Sequence, residues 1–331
     1  MTALVQAAII GGGVIGAGWA ARLVANGVNV CIYDPAPTAA AQIQHVLSQS
    51  RRASARLYQI PLPTEGQVVF AGSVATAVQD AQLIIESVPE RVAVKQAVYA
   101  EIEAAAKPDA IIASSTSGIL PSELQSAMTL PGRFLVAHPF NPVYLLPLVE
   151  LVAGKSTDPA TIARAEALYT GLGMKALIVK KEIAAFIADR LLEAVWREAL
   201  WLVKDGIATT EDVDDAVRFG FGLRYAQMGI FDTYRVAGGA AGMRHFMAQF
   251  GPCLQWPWSR LTDVPEFDDE LVELIASQSD AQSGHLSIAE LEQIRDDNLV
   301  AILRALKDNA WGAGQTLADY EQRLSAVRQD R

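Results

Sequence analysis

His138 and Glu150 are the residues whose types and surroundings could do acid–base chemistry together. Both lie in FLVAHPFNPVYLLPLVELV, residues 134–152. A short apolar run from Phe134 to Ala137 is long enough for one buried strand, and it stops at His138, with Pro139 next. A second apolar run, Leu145 to Val152, carries a single carboxylate, Glu150. Imidazole titrates near neutral pH and a carboxylate can fix its tautomer, so this placement is how a general base is built. In open α/β sheets the ligand crevice lies outside the carboxyl ends of the strands, where His138 is expected. Taken alone, the pair has a plainer reading as a turn histidine and a solvated acid.

The elements that would position such a pair begin at the N-terminus. Leu4 to Ile10 is strand-like and runs into GGGVIG, so that Gly11, Gly13 and Gly16 have the spacing G-x-G-x-x-G. The helical stretch AGWAARLVANG follows, then a second strand, Val28 to Tyr33, which ends at Asp34. Strand, glycine turn, helix, strand and terminal acid together make a dinucleotide fingerprint. Gly11 permits the tight turn, Gly13 lets the backbone approach a pyrophosphate, and Gly16 lets helix and strand pack closely. Gly12, Val14 and Ile15 complete the phosphate-facing turn at the helix N-terminus. Asp34 lies about 20 residues beyond the glycines, where it would accept hydrogen bonds from the adenosine ribose. Its charge would repel a 2′-phosphate, so NAD is expected rather than NADP.

Further short strands are expected at Val68–Phe70, Leu83–Glu86, Ala110–Ala113 and Leu135–Ala137. Helices fall between them, at residues 38–58 and Arg91–Ala106. Another helix, Ala160 to Gly171, and another strand, Lys175 to Val179, follow. From Glu182 nearly everything reads as helix, beginning with a long segment, Glu182 to Lys204. The expected architecture is α/β, a Rossmann-type doubly wound sheet followed by an all-α C-terminal domain. The expected domains are 1–181, binding NAD, and 182–331, helical, for substrate and dimerisation.

With 331 residues the chain can bury two substantial cores. The net charge of −10 argues against nucleic acid and against anionic membranes. Cys31 and Cys253 are far apart, with no CxxC or Cys/His cluster, so neither a metal site nor a disulfide framework is expected. MTALVQAAII lacks a basic segment and Gly11 breaks it early, so no signal peptide or membrane span is read and the cytoplasm is expected. The tail from Asp263 to Arg331 is acidic and amphipathic. It is expected to serve packing or a subunit interface, as in a homodimer.

The motifs GGGVIG, ESVPE, ASSTSG, HPFNPVYLLPLVE and FIADRLL stand in the order and near the spacing of the 3-hydroxyacyl-CoA dehydrogenase superfamily, which the chain resembles over at least residues 5–235. By that resemblance the catalytic serine falls on Ser117, the histidine on His138 and the glutamate on Glu150. Cofactor contacts fall on Gly11 to Gly16, Asp34, Glu90, Lys95 and Asn141. The resemblance implies that His138 takes a hydroxyl proton while hydride leaves the adjacent carbon for NAD. Glu150 would stabilise the cationic imidazole, and Ser117 would hydrogen-bond the reacting oxygen. Ser117 also reads as a loop-capping serine, and Glu90 and Lys95 as charges complementing a helix dipole.

Two departures bear on substrate. The family's asparagine in FIADRLL is Asp189 here, followed by Arg190, with which it could simply form a salt bridge. The interval between Asp34 and Val68 has three arginines in place of the family's long Lys-rich arm, which disfavours acyl-CoA. RFGFGLRYAQMGIFDTYRVAGG and FGPCLQWPWSRLTDVP resemble the branch of the family that oxidises carnitine, a 3-hydroxy acid with a trimethylammonium group. Such a cation needs aromatic faces, for which Phe140 and Trp196 are candidates, and Arg190 is one candidate for the substrate carboxylate. L-gulonate or another short 3-hydroxy acid is the alternative substrate, with 3-hydroxyacyl-CoA behind it. A non-catalytic NAD-binding protein is the alternative outside enzymes.

Overall fold

Alternation along each short apolar run decides how the first half of the chain folds. In a computed structural model, residues 4–57, 62–226, 228–259 and 268–310 are described. They include eight strands: β1 (Gln6–Ile10), β2 (Asn29–Tyr33), β3 (Val68–Phe70), β4 (Leu83–Glu86), β5 (Ile111–Ser114), β6 (Phe134–Pro139), β7 (Leu148–Val152) and β8 (Lys175–Val179). They form one sheet in the order β3-β2-β1-β4-β5-β6-β7-β8. Every neighbouring pair is parallel except β6 and β7, which are antiparallel.

Successive residues of a strand face opposite sides of the sheet, and the core divides accordingly. Ala7, Ile9, Leu83 and Ile85 pack in one apolar cluster with Trp19, Leu23, Ile43 and Tyr169. Ala8, Ile10, Ile84 and Ile112 pack in a second with Tyr99, Ile102 and Phe134. The connecting helices are α1 (Val14–Ala25), α2 (Ala39–Leu57), α3 (Val74–Val78), α4 (Val92–Ala105), α5 (Pro121–Leu124) and α6 (Pro159–Gly171). A doubly wound sheet with one antiparallel step near its edge is the result.

Beyond β8 the described chain is helical: α7 (Ala188–Lys204), α8 (Thr210–Ala216), α9 (Gly222–Tyr225), α10 (Ile230–Ala237), α11 (Gly242–Phe250), α12 (Asp269–Ser283) and α13 (Ile288–Asp308). The chain divides into two compact units, Met1–Leu192 and Glu193–Arg331. Of the tail expected to serve packing, residues 263–267 and 311–331 lie outside the described residues, as does Gln227 in the GLRYAQMG stretch.

One expected element differs. The long helix expected from Glu182 begins at Ala188. Before it, Ala185 and Phe186 take φ of 60° and 51°, left-handed values that no apolar periodicity reveals. The Glu182 carboxylate accepts from the Ser122 amide at 3.0 Å and its hydroxyl at 2.6 Å. The entry to α7 is set from outside the helix, because two of its leading amides donate to a side chain on β7.

Candidate active site

That side chain is Glu150. The antiparallel register places it directly opposite His138, and its Oε2 lies 2.9 Å from His138 Nδ1. The other oxygen, Oε1, accepts from the amides of Ile187 and Ala188, each at 3.0 Å. These are donors that a helix start leaves without intrahelical partners. Glu150 is fully buried and His138 nearly so. Burial pushes the Glu150 carboxyl up. The bond to His138 and the Ala188 and Ile187 amides outweigh it and hold the acid below the usual carboxylate range. The carboxylate is thus kept charged beside an imidazole whose Nδ1 it engages, which directs Nε2 elsewhere.

His138 Nε2 faces Asp189 Oδ2 at 3.5 Å. Phe140 packs edge-on to the imidazole with ring centres 5.2 Å apart, and Phe186 lies tilted against it at 5.5 Å. Arg190 donates to the Ala184 carbonyl at 3.3 Å. The structure therefore brings His138, Glu150, Asp189 and Phe140 together. Ser117 occupies the loop after β5, the strand paired with β6, and its side chain is exposed. Trp196 stands in the second compact unit and is exposed.

The residues expected to hold the cofactor lie after the carboxyl ends of β1, β2 and β4, except Asn141, which follows β6. Gly11 has φ of 99°, and a Cβ there would come within 2.6 Å of the Ser87 carbonyl oxygen. A Cβ at Gly16 would strike the Gly11 carbonyl oxygen at 1.9 Å. Packing therefore requires both glycines. At Gly13 a Cβ would meet nothing of the protein within 4 Å. Packing does not account for this third glycine, whereas a ligand approaching the backbone would. Gly13 caps α1 without a side-chain hydrogen bond, so the helix presents its amides through Gly13, Val14 and Ile15. Asp34 Oδ2 accepts from the Gly12 amide at 2.6 Å and Oδ1 from the Ala36 amide at 2.7 Å, which ties the end of β2 to the glycine turn. These residues fit a dinucleotide.

Glu90 and Lys95 belong to a second network, centred on an acid that sequence reasoning treated only as a strand end. Glu86 is fully buried and receives Lys95 Nζ on Oε1 at 2.8 Å. Its Oε2 accepts from the hydroxyls of Tyr99 and Ser114, each at 2.6 Å. Burial first, and then the Glu86 charge, push the Tyr99 phenol well above its ordinary range, so it remains a donor. Lys95 also pairs with the half-exposed Glu90 at 3.2 Å. Glu90 Oε1 in turn accepts from the Thr116 hydroxyl and, at 3.1 Å, from the Ser117 amide. Lys95 thus supports Glu90 and the serine loop from beneath, and of the two charges Glu90 is the accessible one.

Two further residues were not singled out beforehand. Phe186 carries no polar atom, and only its position in FIADRLL marks it. Arg22, buried within α1, donates to the carbonyls of Val143 at 2.6 Å, Leu146 at 3.1 Å and Leu172 at 3.2 Å. It moors the loop that follows His138 and holds the exposed Asn141. An arginine in the otherwise apolar WAARLVA was the available signal.

A dinucleotide-type sheet with a buried imidazole–carboxylate pair at its carboxyl edge defines an NAD-dependent dehydrogenase of hydroxy acids. The chain belongs to the 3-hydroxyacyl-CoA dehydrogenase family: residues 6–183 match that family's NAD-binding domain and residues 186–264 its C-terminal domain. A relative from Mesorhizobium japonicum, L-carnitine dehydrogenase, is 58% identical over 99% of this chain and 91% of the relative. A relative from Ruegeria pomeroyi, L-carnitine dehydrogenase/betainyl-CoA thioesterase, is 60% identical over 97% of this chain, which spans 66% of that longer protein. Among solved structures, 5-formyl-3-hydroxy-2-methylpyridine 4-carboxylic acid 5-dehydrogenase, an NAD+-dependent dismutase, is 32% identical with a TM-score of 0.72. That match covers 92% of this chain and 99% of the other.

Proposed function

We propose that this chain oxidises L-carnitine to 3-dehydrocarnitine, with His138 as general base. The observation that carries the chemistry is the His138–Glu150 pair, buried and matched residue to residue across β6 and β7. The substrate is supported by the relatives' names and by the carboxylate of Asp189 beside His138. His138 Nε2 takes the proton of the 3-hydroxyl. Glu150 holds the opposite nitrogen and stabilises the imidazolium as it forms. Ser117 donates its hydroxyl to the oxygen that becomes a carbonyl. Bound NAD supplies the acceptor for the hydride leaving the carbinol carbon. Gly11 to Gly16, Asp34, Glu90 with Lys95, and Asn141 would hold it.

In this reading residues 1–181 serve the cofactor and 182–331 the substrate and a homodimer. The homodimer is supported by α7, none of whose residues is buried although Leu191, Leu192, Val195 and Leu200 are apolar. The cytoplasm is the assigned compartment, in keeping with the unpaired thiols of Cys31 and Cys253. The test follows NADH formation with L-carnitine, L-gulonate and 3-hydroxybutyryl-CoA at saturating NAD. L-carnitine should give the highest kcat/KM, and its failure to turn over would reject the proposal.

A further inference from the structure

Asp189 is the second carboxylate that the structure sets against the His138 imidazole. Nδ1 of His138 is engaged by Glu150, so the nitrogen that meets substrate is Nε2, and Nε2 is the atom facing Asp189. Their separation of 3.5 Å exceeds a good hydrogen bond. A substrate hydroxyl can therefore reach Nε2 with the carboxylate at its side. Asp189 is partly open, with 20% of its side chain exposed.

A hydroxyl donating to Nε2 would sit at about 2.8 Å. In a 3-hydroxy acid with a trimethylammonium group on the next carbon, the cationic nitrogen is two bonds from the carbinol carbon. A carboxylate 3.5 Å from Nε2 is therefore on hand for the substrate's cationic end, where opposite charges interact appreciably away from bulk water. A quaternary ammonium offers no N–H, so its recognition is Coulombic and needs no hydrogen-bond geometry, with aromatic surface as the natural complement. Phe140 supplies such a surface beside the imidazole. An asparagine would give geometry without charge.

We infer that Asp189 is a specificity residue: its carboxylate selects substrates with a permanent cation beside the hydroxyl-bearing carbon. This deepens the carnitine assignment and rests on it. The same carboxylate could instead act through His138 by stabilising the imidazolium, and the experiment separates the two. Wild type, Asp189→Asn and Asp189→Glu are compared on L-carnitine and on its neutral isostere 3-hydroxy-5,5-dimethylhexanoate, in which carbon replaces the ammonium nitrogen. NADH binding is followed in each variant to establish an intact fold. The ratio of kcat/KM for L-carnitine to that for the isostere should fall on the order of 10–100-fold in Asp189→Asn and recover in part in Asp189→Glu. Equal losses on both substrates would overturn the inference in favour of a role through His138. An unchanged ratio would overturn it too, while leaving the carnitine reading intact if wild type oxidises L-carnitine. Absence of L-carnitine turnover by wild type would remove both.

Discussion

Two acids of the first unit, Glu150 and Glu86, are both fully buried, both on sheet strands, and both bonded through each oxygen. They do different work because of what they hold. Glu150 faces an imidazole, a group whose charge changes near neutral pH. Glu86 faces the Lys95 ammonium and the hydroxyls of Tyr99 and Ser114, a closed set of bonds within the protein. The first arrangement can accept a proton and return it. The second is a fixed brace under the loop that carries Ser117. Burial of an acid does not by itself mark a catalytic candidate; the kind of group it holds does.

His138→Ala should break the first arrangement most severely. Turnover should fall about 10²–10⁴-fold, the usual worth of a positioned acid–base group, while NAD affinity stays near wild type. Steady-state rates with NADH-binding titrations check both halves. At Glu86 the expected loss is stability. Lys95→Met leaves a buried carboxylate uncompensated and should cost about 3–5 kcal/mol in denaturant unfolding. Adding Glu86→Gln should recover much of that, and if it did not, the pairing of the two groups would be in question.

Glu150→Gln sharpens the contrast. It keeps the shape and removes the charge, so turnover should drop on the order of 10²-fold, with a smaller effect on stability than Lys95→Met. The smallest expected effect is in pH dependence. The folded Glu150 value lies below its unfolded value of about 4.3. Its charge therefore adds stability that is fully present above that pH and fades as pH falls through the lower folded value. The stability gap between wild type and Glu150→Gln should narrow as pH falls below about 4, as read by urea unfolding across the acid range.

The legible parts of this protein are those where one backbone period fixes both neighbours. HPFNPVYLLPLVE showed a strand end and an acid on the next strand, and register then set His138 against Glu150. GGGVIG and Asp34 were legible for the same reason, since the fingerprint fixes spacing within a single strand–helix–strand unit. Lys95 was not. A lysine in the first turns of an amphipathic helix looks like a solvated charge, and only the pairing of β4 with β5 and the packing of α4 show that it is enclosed with Glu86, Tyr99 and Ser114. The true start of α7 was hidden as well. Its periodicity continues back through residues 182–187, while Glu150, Ser122 and the left-handed turn at Ala185 and Phe186 act from outside that pattern. Asp189 stood out in FIADRLL, but its place 3.5 Å from His138 Nε2 needed the structure.

The most direct test is a crystal structure with NAD and L-carnitine bound. The 3-hydroxyl oxygen should lie about 2.6–3.2 Å from His138 Nε2, with Glu150 still on Nδ1. A hydroxyl bonded to some other group, with the imidazole turned away from the nicotinamide, would contradict the account.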